Sequence, residues 1–459
     1  MRRRAFLAVL IALPLVLAAA PSSTPELRNP RTQEPRNLGT MNALADRYVK
    51  LVLAVGQQDD GYVDAYYGPA QWKADADTAG KRPLTELTAE ADAIAAALGP
   101  SSDRSGTTDA AGSDAEMVEL RHEYLRAQVS AVQARIRMLS GTKLPFDQES
   151  EALYDAVAPT YPASHFDAVL KELDALVPGP GALADRVEAF RQQYVIPPAK
   201  LEPVFRRAIA ECRARTAAAM ELPAGEEFHL EFVTNKPWSG YNWYQGNFHS
   251  LIQVNTELPI FIDRAIDLAC HEGYPGHHVY NLMLEQHMVK ARGWREFAVY
   301  PLFSPQSLIA EGSANFGIEV AFPGEARVAF ERDVLFPMAG LDPSTAERYY
   351  KVLARLDGLS YAGNEAARDY LDGRRTAAQA IDWLVSYTLT SRARAEQRVR
   401  FFDTYRSYVI NYNYGKDLVR HFVEGRGGTV EHPDVRWRVF RALISSPRLP
   451  SGLGATSNR

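Results

Sequence analysis

Cysteine is almost missing from this chain: Cys212 and Cys270 are its only two in 459 residues. They can form one bridge at most, which rules out a disulfide framework as the basis of the fold. An excess of one charge is missing too. The 51 basic and 56 acidic side chains leave a net −5, which gives no reason to expect nucleic acid or an anionic membrane surface as a partner. The N-terminal apolar run, 5–17, is interrupted by Pro14 and is too short for a stable membrane anchor. No cysteine lies near its end, so no lipid anchor is expected there. Internal repeats are lacking as well.

What is present is the composition of a soluble globular protein with a large core, 46% hydrophobic and 23% charged. The length allows one large domain or two to three ordinary ones. Arg2, Arg3 and Arg4, the apolar run and Ala18-Ala19-Ala20 read as a signal peptide over 1–20, implying export to the periplasm or medium. Arg3-Arg4-Ala5-Phe6-Leu7 matches the core of a twin-arginine signal. Residues 21–38, rich in Pro, Ser, Thr and Arg, read as a disordered lead-in, followed by a helical part over 39–222 and a metal-site part over 223–459.

Helical spacing predicts helices over 41–57, 83–98, 116–139, two or three more before Pro197, and 201–219. Residues 61–72 read as a helix end and turn, and 99–113 as a mobile surface loop. Strand alternation marks 227–233 and 248–254, separated by a Gly-rich aromatic loop over 238–247. Helices then follow over 306–320, 325–339, 345–371, 377–388, 392–408 and 434–445. The expected fold is mainly α, a large cleft-containing helical protein with a small antiparallel sheet beside the active site.

The most informative stretch is C-H-E-G-Y-P-G-H-H-V-Y over 270–280, holding three of the ten histidines. Neutral imidazoles are the commonest ligands of catalytic zinc. In one large group of zinc hydrolases the pattern is His-Glu-x-x-His on a helix, with the glutamate as general base. Here Pro275 stands where the second histidine belongs. On a regular helix His277 would lie about 9 Å along and roughly 240° round from His271. Pro275 and Gly276 license a kink or bulge that absorbs the extra residues. His271 and one of His277 or His278 are therefore candidate ligands, and Glu272 the candidate base. Cys270 reads as a small buried residue of the same helix.

A catalytic zinc takes three protein ligands and a water. Glu311, a lone carboxylate in an apolar helical run, is the third candidate, since its burial is costly without a cation. Glu319 is the second choice. The His-Glu-x-x-Pro-Gly-His-His run, a Glu-Gly-x-Ala helix some forty residues on and a C-terminal Tyr-x-x-Gly resemble the bacterial family catalogued as domain of unknown function 885. That family is similar to helical zinc carboxypeptidases of the thermostable-carboxypeptidase type. The resemblance covers most of 40–425, with its specificity in 271–278 and 311–314. It implies His271, one later histidine and Glu311 as Zn2+ ligands and Glu272 as base. The glycine preceding the second ligand in those carboxypeptidases favours His277, with His278 as alternative. Two departures stand out: Ser313-Ala314 follows Glu-Gly where the family has Trp-Ala, and the C-terminal segment reads Y-V-I-N-Y-N-Y-G over 408–415.

Zinc-bound water attacking an amide carbonyl also calls for a donor to the developing oxyanion. Tyr412 is the first candidate and Tyr408 the next. Arg406 is a candidate for a substrate carboxylate, and Trp243, Tyr244 and His249 for further substrate contacts. The expected function is an exported zinc metallopeptidase acting on short peptides or C-terminal residues. The alternatives are a metal-dependent amidohydrolase of another amide, or a silent peptide-binding relative, against which Glu272 argues. The expected partner is a peptide or small amide substrate. The oligomeric state is open.

Overall fold

The computed structural model describes residues 34–100, 114–236 and 238–454. The signal segment 1–20, the lead-in as far as residue 33 and residues 101–113 of the expected surface loop lie outside the described residues. The end of the lead-in differs from expectation: the first helix begins at Glu34 and runs to Gly56.

The chain is mainly helical, with two small sheets. Most helices follow the apolar spacing closely. Asp114–Leu139 buries Met117, Tyr124, Leu125, Val129, Val132 and Ile136 along one face. Ala377–Thr388 starts at Thr376, whose side chain and that of Gln379 form a reciprocal capping box. Of the expected helices, 345–371 divides into Ala346–Asp357 and Ala362–Leu371. A helix over Ile410–Glu424 was not anticipated, because its Asn-, Tyr- and Gly-rich start obscures the period. Among the described residues no helix is long and apolar enough to cross a membrane.

The sheets depart further from expectation. Residues 61–72 do not end a helix; they hold β1 (Val63–Tyr66). The aromatic stretch expected as a loop is a strand, β3 (Gly240–Gly246), between β2 (Glu227–Val233) and β4 (His249–Asn255). β1 pairs antiparallel with β5 (Val299–Pro301). The larger sheet has the order β2-β4-β3 and is mixed, not purely antiparallel: β2 runs parallel to β4, and β3 antiparallel to it. The segment 248–254 is thus the central strand, paired on both sides, and its backbone is not open to a peptide.

Two apolar clusters make the core. One gathers Leu51, Ile94, Val129, Phe146 and Val409; the other gathers Phe205, Ile266, Leu282, Phe316 and Phe440. The Pro305–Ala321 helix lies between them, Leu308 packing in the first and Ile309 and Ala310 in the second. A helix enclosed on all sides is apolar all round, so Glu311 stands out in it. Its closest neighbour is the Ile410–Glu424 helix. The two backbones touch where Gly312 meets Gly415, leaving no room for a Cβ on either. That contact brings Glu311 beside the tyrosines at 408 and 412.

Candidate functional site

The first candidate ligand lies on a turn of π-helix, Ala269–Gly273, which carries Cys270, His271 and Glu272. Such turns insert a residue into a helix and often occur at functional sites. The helix then breaks at Tyr274-Pro275, a cis peptide, and restarts at His277. At Gly276 a Cβ would overlap the carbonyl oxygens of His271 and Cys270, while its N–H donates to the Cys270 carbonyl at 2.9 Å. Only glycine folds the chain back this tightly. Cys270 is no ligand: it forms a disulfide with Cys212, tethering this turn to the Pro198–Ala219 helix.

The break does what a regular helix cannot. His271 and His277 face each other edge to face, with ring centroids 4.7 Å apart and Nε2 atoms 3.1 Å apart. Glu311 Oε2 lies 3.2 Å from the first nitrogen and 3.6 Å from the second. One ligand atom from each of the three residues falls within 4.8 Å of the others. This buried Oε2 makes no hydrogen bond of good geometry, whereas Oε1 accepts from the Tyr408 hydroxyl at 2.8 Å. An orphaned carboxylate oxygen converging with two imidazole nitrogens is the donor set that suits zinc.

The surroundings hold these groups in place. Asn315, one turn beyond Glu311, accepts from His271 Nδ1 at 3.1 Å and donates to the Tyr412 carbonyl at 3.0 Å. An accepting amide oxygen puts the imidazole proton on Nδ1 and leaves the Nε2 lone pair for a metal. Burial opposes the ionisation of Glu311, but the charge of His277 and the contact with His271 hold it well below the usual carboxylate range. Burial likewise opposes protonation of His277, yet Glu311, with Glu272 and Asp64, pushes it up to about 9. The metal-free trio is therefore an imidazolium–carboxylate pair, and metal would replace the proton.

Glu272 is buried beside this trio, and burial raises its pKa against the lowering effect of both histidines. Both the trio and Glu272 line a pocket of about 1180 Å³. Tyr408 and Tyr412 line it too. Tyr412 makes no hydrogen bond through its hydroxyl among the described residues, and burial keeps that hydroxyl protonated.

His278 faces the other way. Neighbouring residues of a helix point about 100° apart, so only one of the pair can face the trio. His278 is fully buried, its Nδ1 2.8 Å from Ser250 Oγ and its Nε2 3.1 Å from Glu226 Oε2. Tyr274 and Arg213 also donate to Glu226. The serine–histidine–carboxylate order is that of a nucleophilic triad, but Ser250 is only 3% exposed and does not line the pocket. Glu319 is no ligand either, being paired with Arg420 at 2.5 Å.

The expected substrate contacts fare differently. Arg406 is paired with Glu149 at 2.6 Å and does not line the pocket. Tyr244 points to the buried face of β3, where its hydroxyl donates to Glu285 at 2.5 Å. Trp243 is on the outer face, bonded to Gln253, and His249 lies by the Asn247 carbonyl. None of these three lines the pocket; Trp238 and Tyr241 of the same stretch do. Three groups escaped the sequence reading. Asp64, on β1, lines the pocket and accepts from the Tyr241 hydroxyl. Burial and the nearby Glu311 and Glu272 push it up to about 6, against the Tyr241 hydrogen bond and His277. Its only sequence signal was a carboxylate set among the tyrosines of Y-V-D-A-Y-Y over 62–67. Asn315 was legible only as a polar residue one turn beyond Glu311. Arg398, a pocket cation with no carboxylate partner among the described residues, gave no signal.

The chain matches no protein-family profile and no curated protein. Two solved structures are distant neighbours. One, described as "the putative lipoprotein from Colwellia psychrerythraea", aligns at a TM-score of 0.48 and 14% identity, covering 83% of this chain and 70% of that one. The other, "a putative lipoprotein of unknown function from Shewanella oneidensis", aligns at a TM-score of 0.40 and 14% identity, covering 81% and 76%.

Proposed function

We propose that this protein is an exported, zinc-dependent hydrolase that cleaves the amide bonds of short peptides. One observation carries the reading: the unsatisfied Oε2 of Glu311 beside the Nε2 atoms of His271 and His277, with Glu272 next to them, in a pocket of peptide size. A metal-binding protein has no need of Glu272; a hydrolase does. The resemblance of 271–278 and 311–314 to the domain of unknown function 885, and through it to zinc carboxypeptidases, favours the same reading. Export is supported by the N-terminal segment and by the Cys212–Cys270 disulfide, a bond that persists in oxidising compartments.

His271, His277 and Glu311 would hold the ion. Bound there, zinc supplies a Lewis acid that brings the pKa of a coordinated water toward ~7. The chain's own groups do the rest. Glu272, its basicity raised by burial, takes the proton from the attacking water and delivers it to the departing amine. Tyr408 is committed to Glu311, so Tyr412 is the donor available to the oxyanion. Asn315 fixes the tautomer of His271.

The test is Glu272→Gln, which preserves shape and removes the base. Zinc content should be unchanged and turnover of a mixed peptide library, read by mass spectrometry, should fall about 10²-fold or more. Near-normal turnover would remove Glu272 from the reaction. Cleavage of non-peptide amides alone would move the assignment to an amidohydrolase.

A further inference from the structure

We propose that Asp64 and the tyrosine rings around it form a subsite for a primary ammonium group of the substrate, beside the metal-binding trio. The inference rests on the hydrolase reading and adds to it the charge of what is bound.

The backbone aims Asp64 at the pocket. In the β1–β5 ladder Val63 pairs with Pro301 and Ala65 with Tyr300, and the register slips between them. Asp64 is therefore the extra residue of a β-bulge, a device that turns a side chain out of the ladder and recurs beside active sites. The carboxylate enters the pocket from the side of the two-stranded sheet, while Tyr405 and Tyr408 enter from the helical wall.

The environment is built for a cation. One Asp64 oxygen accepts from the Tyr241 hydroxyl. No lysine or arginine among the described residues forms an ion pair with it. Tyr241, Tyr300, Tyr405 and Tyr408 are all near enough to feel its charge, and the rings of the last two lie 6.0 Å apart. A carboxylate in a pocket shared with these four tyrosines is the chemistry that takes an organic ammonium ion.

Asp64 has no cation at ion-pair distance among the described residues, and an unpartnered carboxylate in a partly enclosed pocket is a costly state. A substrate amine supplies the partner. The ammonium has two sources, the α-amino terminus or a lysine-type side chain, and the chemistry is shared.

Calorimetric titration of the zinc-loaded protein with n-butylammonium and with n-butanol tests the subsite without turnover. The ammonium ion should bind and the alcohol should bind more weakly. Asp64→Asn should weaken ammonium binding about tenfold or more, while Asp64→Glu, which keeps the charge, should retain the preference. Equal binding of the two probes, or an unaltered preference in Asp64→Asn, overturns the subsite even if hydrolysis is established. Conversely, Asp64-dependent ammonium binding without peptide cleavage would remove the hydrolase reading and leave the cation site standing. Two substrate pairs then separate the sources: a peptide against its N-acetylated form, and N-acetylated peptides with lysine against norleucine. An Asp64-dependent preference in the first pair assigns the subsite to the amino terminus, and one in the second assigns it to a side chain. No preference in either pair overturns the proposal.

Discussion

The Nε2 atoms of His271 and His277 stand 3.1 Å apart with Glu311 Oε2 beside both. Two imidazole lone pairs held that close repel unless a proton or a metal lies between them. The π-turn, the Pro275 break and the closeness permitted by Gly276 all serve this one juxtaposition. The neighbouring His278 has a different task, and the two residues should separate cleanly by mutation.

Replacing His278 by Asn should leave zinc at about one per chain while lowering stability. The loss removes one of the donors to buried Glu226 and strands Ser250, which costs roughly 1–3 kcal/mol. His277→Ala should instead release the metal, with a loss of stability of its own because buried Glu311 loses its partner. Metal loss in His278→Asn with an intact melting temperature would exchange the two roles.

Gly240 should prove a positioning residue. A Cβ at this point of β3 would lie 2.8 Å from Glu272 Oε1 and 2.8 Å from Leu268 Cδ2, so even alanine displaces the Glu272 carboxyl, the proposed base. Gly240→Ala should keep the metal and lower kcat by about tenfold, the scale of a small misplacement in a site that depends on orientation. Unchanged kcat with unchanged structure would mean Glu272 shifts without consequence.

Beside two pocket-lining residues, Arg327 and Tyr350, lies a pH-dependent stability element. Glu331 is fully buried, paired with Arg327 at 2.8 Å and bonded to Tyr350. Arg327 also serves Asp267 at 2.9 Å, so Glu331 has only a share of its charge. Burial, only partly offset by Arg327, pushes the Glu331 carboxyl up to about 8. Because the folded-state value lies above the unfolded one, its contribution is fully present below about 4.5 and is lost as pH rises through about 8. Glu331→Gln removes that dependence. Its melting temperature should rise relative to the parent between pH 5 and pH 8; parallel profiles would contradict the assignment.

Much of the site was legible because its chemistry is local. The run 270–280 carries its own distortion in Pro275 and Gly276, and the lone carboxylate at 311 betrays itself in an apolar helix. The rest depends on contacts between distant segments. β1 is four residues long and meets its partner about half the chain away, at Val299–Pro301, so 61–72 offered no period to read. β3 alternates Tyr241, Trp243 and Gln245 outward with Asn242, Tyr244 and Gly246 inward, but its glycines and aromatics resemble a loop. Because β4 takes the centre of the sheet, its edges belong to β2 and β3. Whether His277 or His278 faces the trio turned on the phase at which the helix restarts, which no local pattern specifies. Arg406 looked like a free cation because its partner Glu149 comes from a distant helix.

The central claim is that His271, His277 and Glu311 hold one catalytic zinc. Metal analysis of the purified chain equilibrated with zinc, beside His271→Ala and Glu311→Ala, tests it most directly. About one zinc per chain should be found in the parent and in Glu272→Gln, and stoichiometric metal should be absent from both ligand variants. Full retention of zinc by His271→Ala and Glu311→Ala alike, with the fold intact, would put the metal elsewhere and contradict the account.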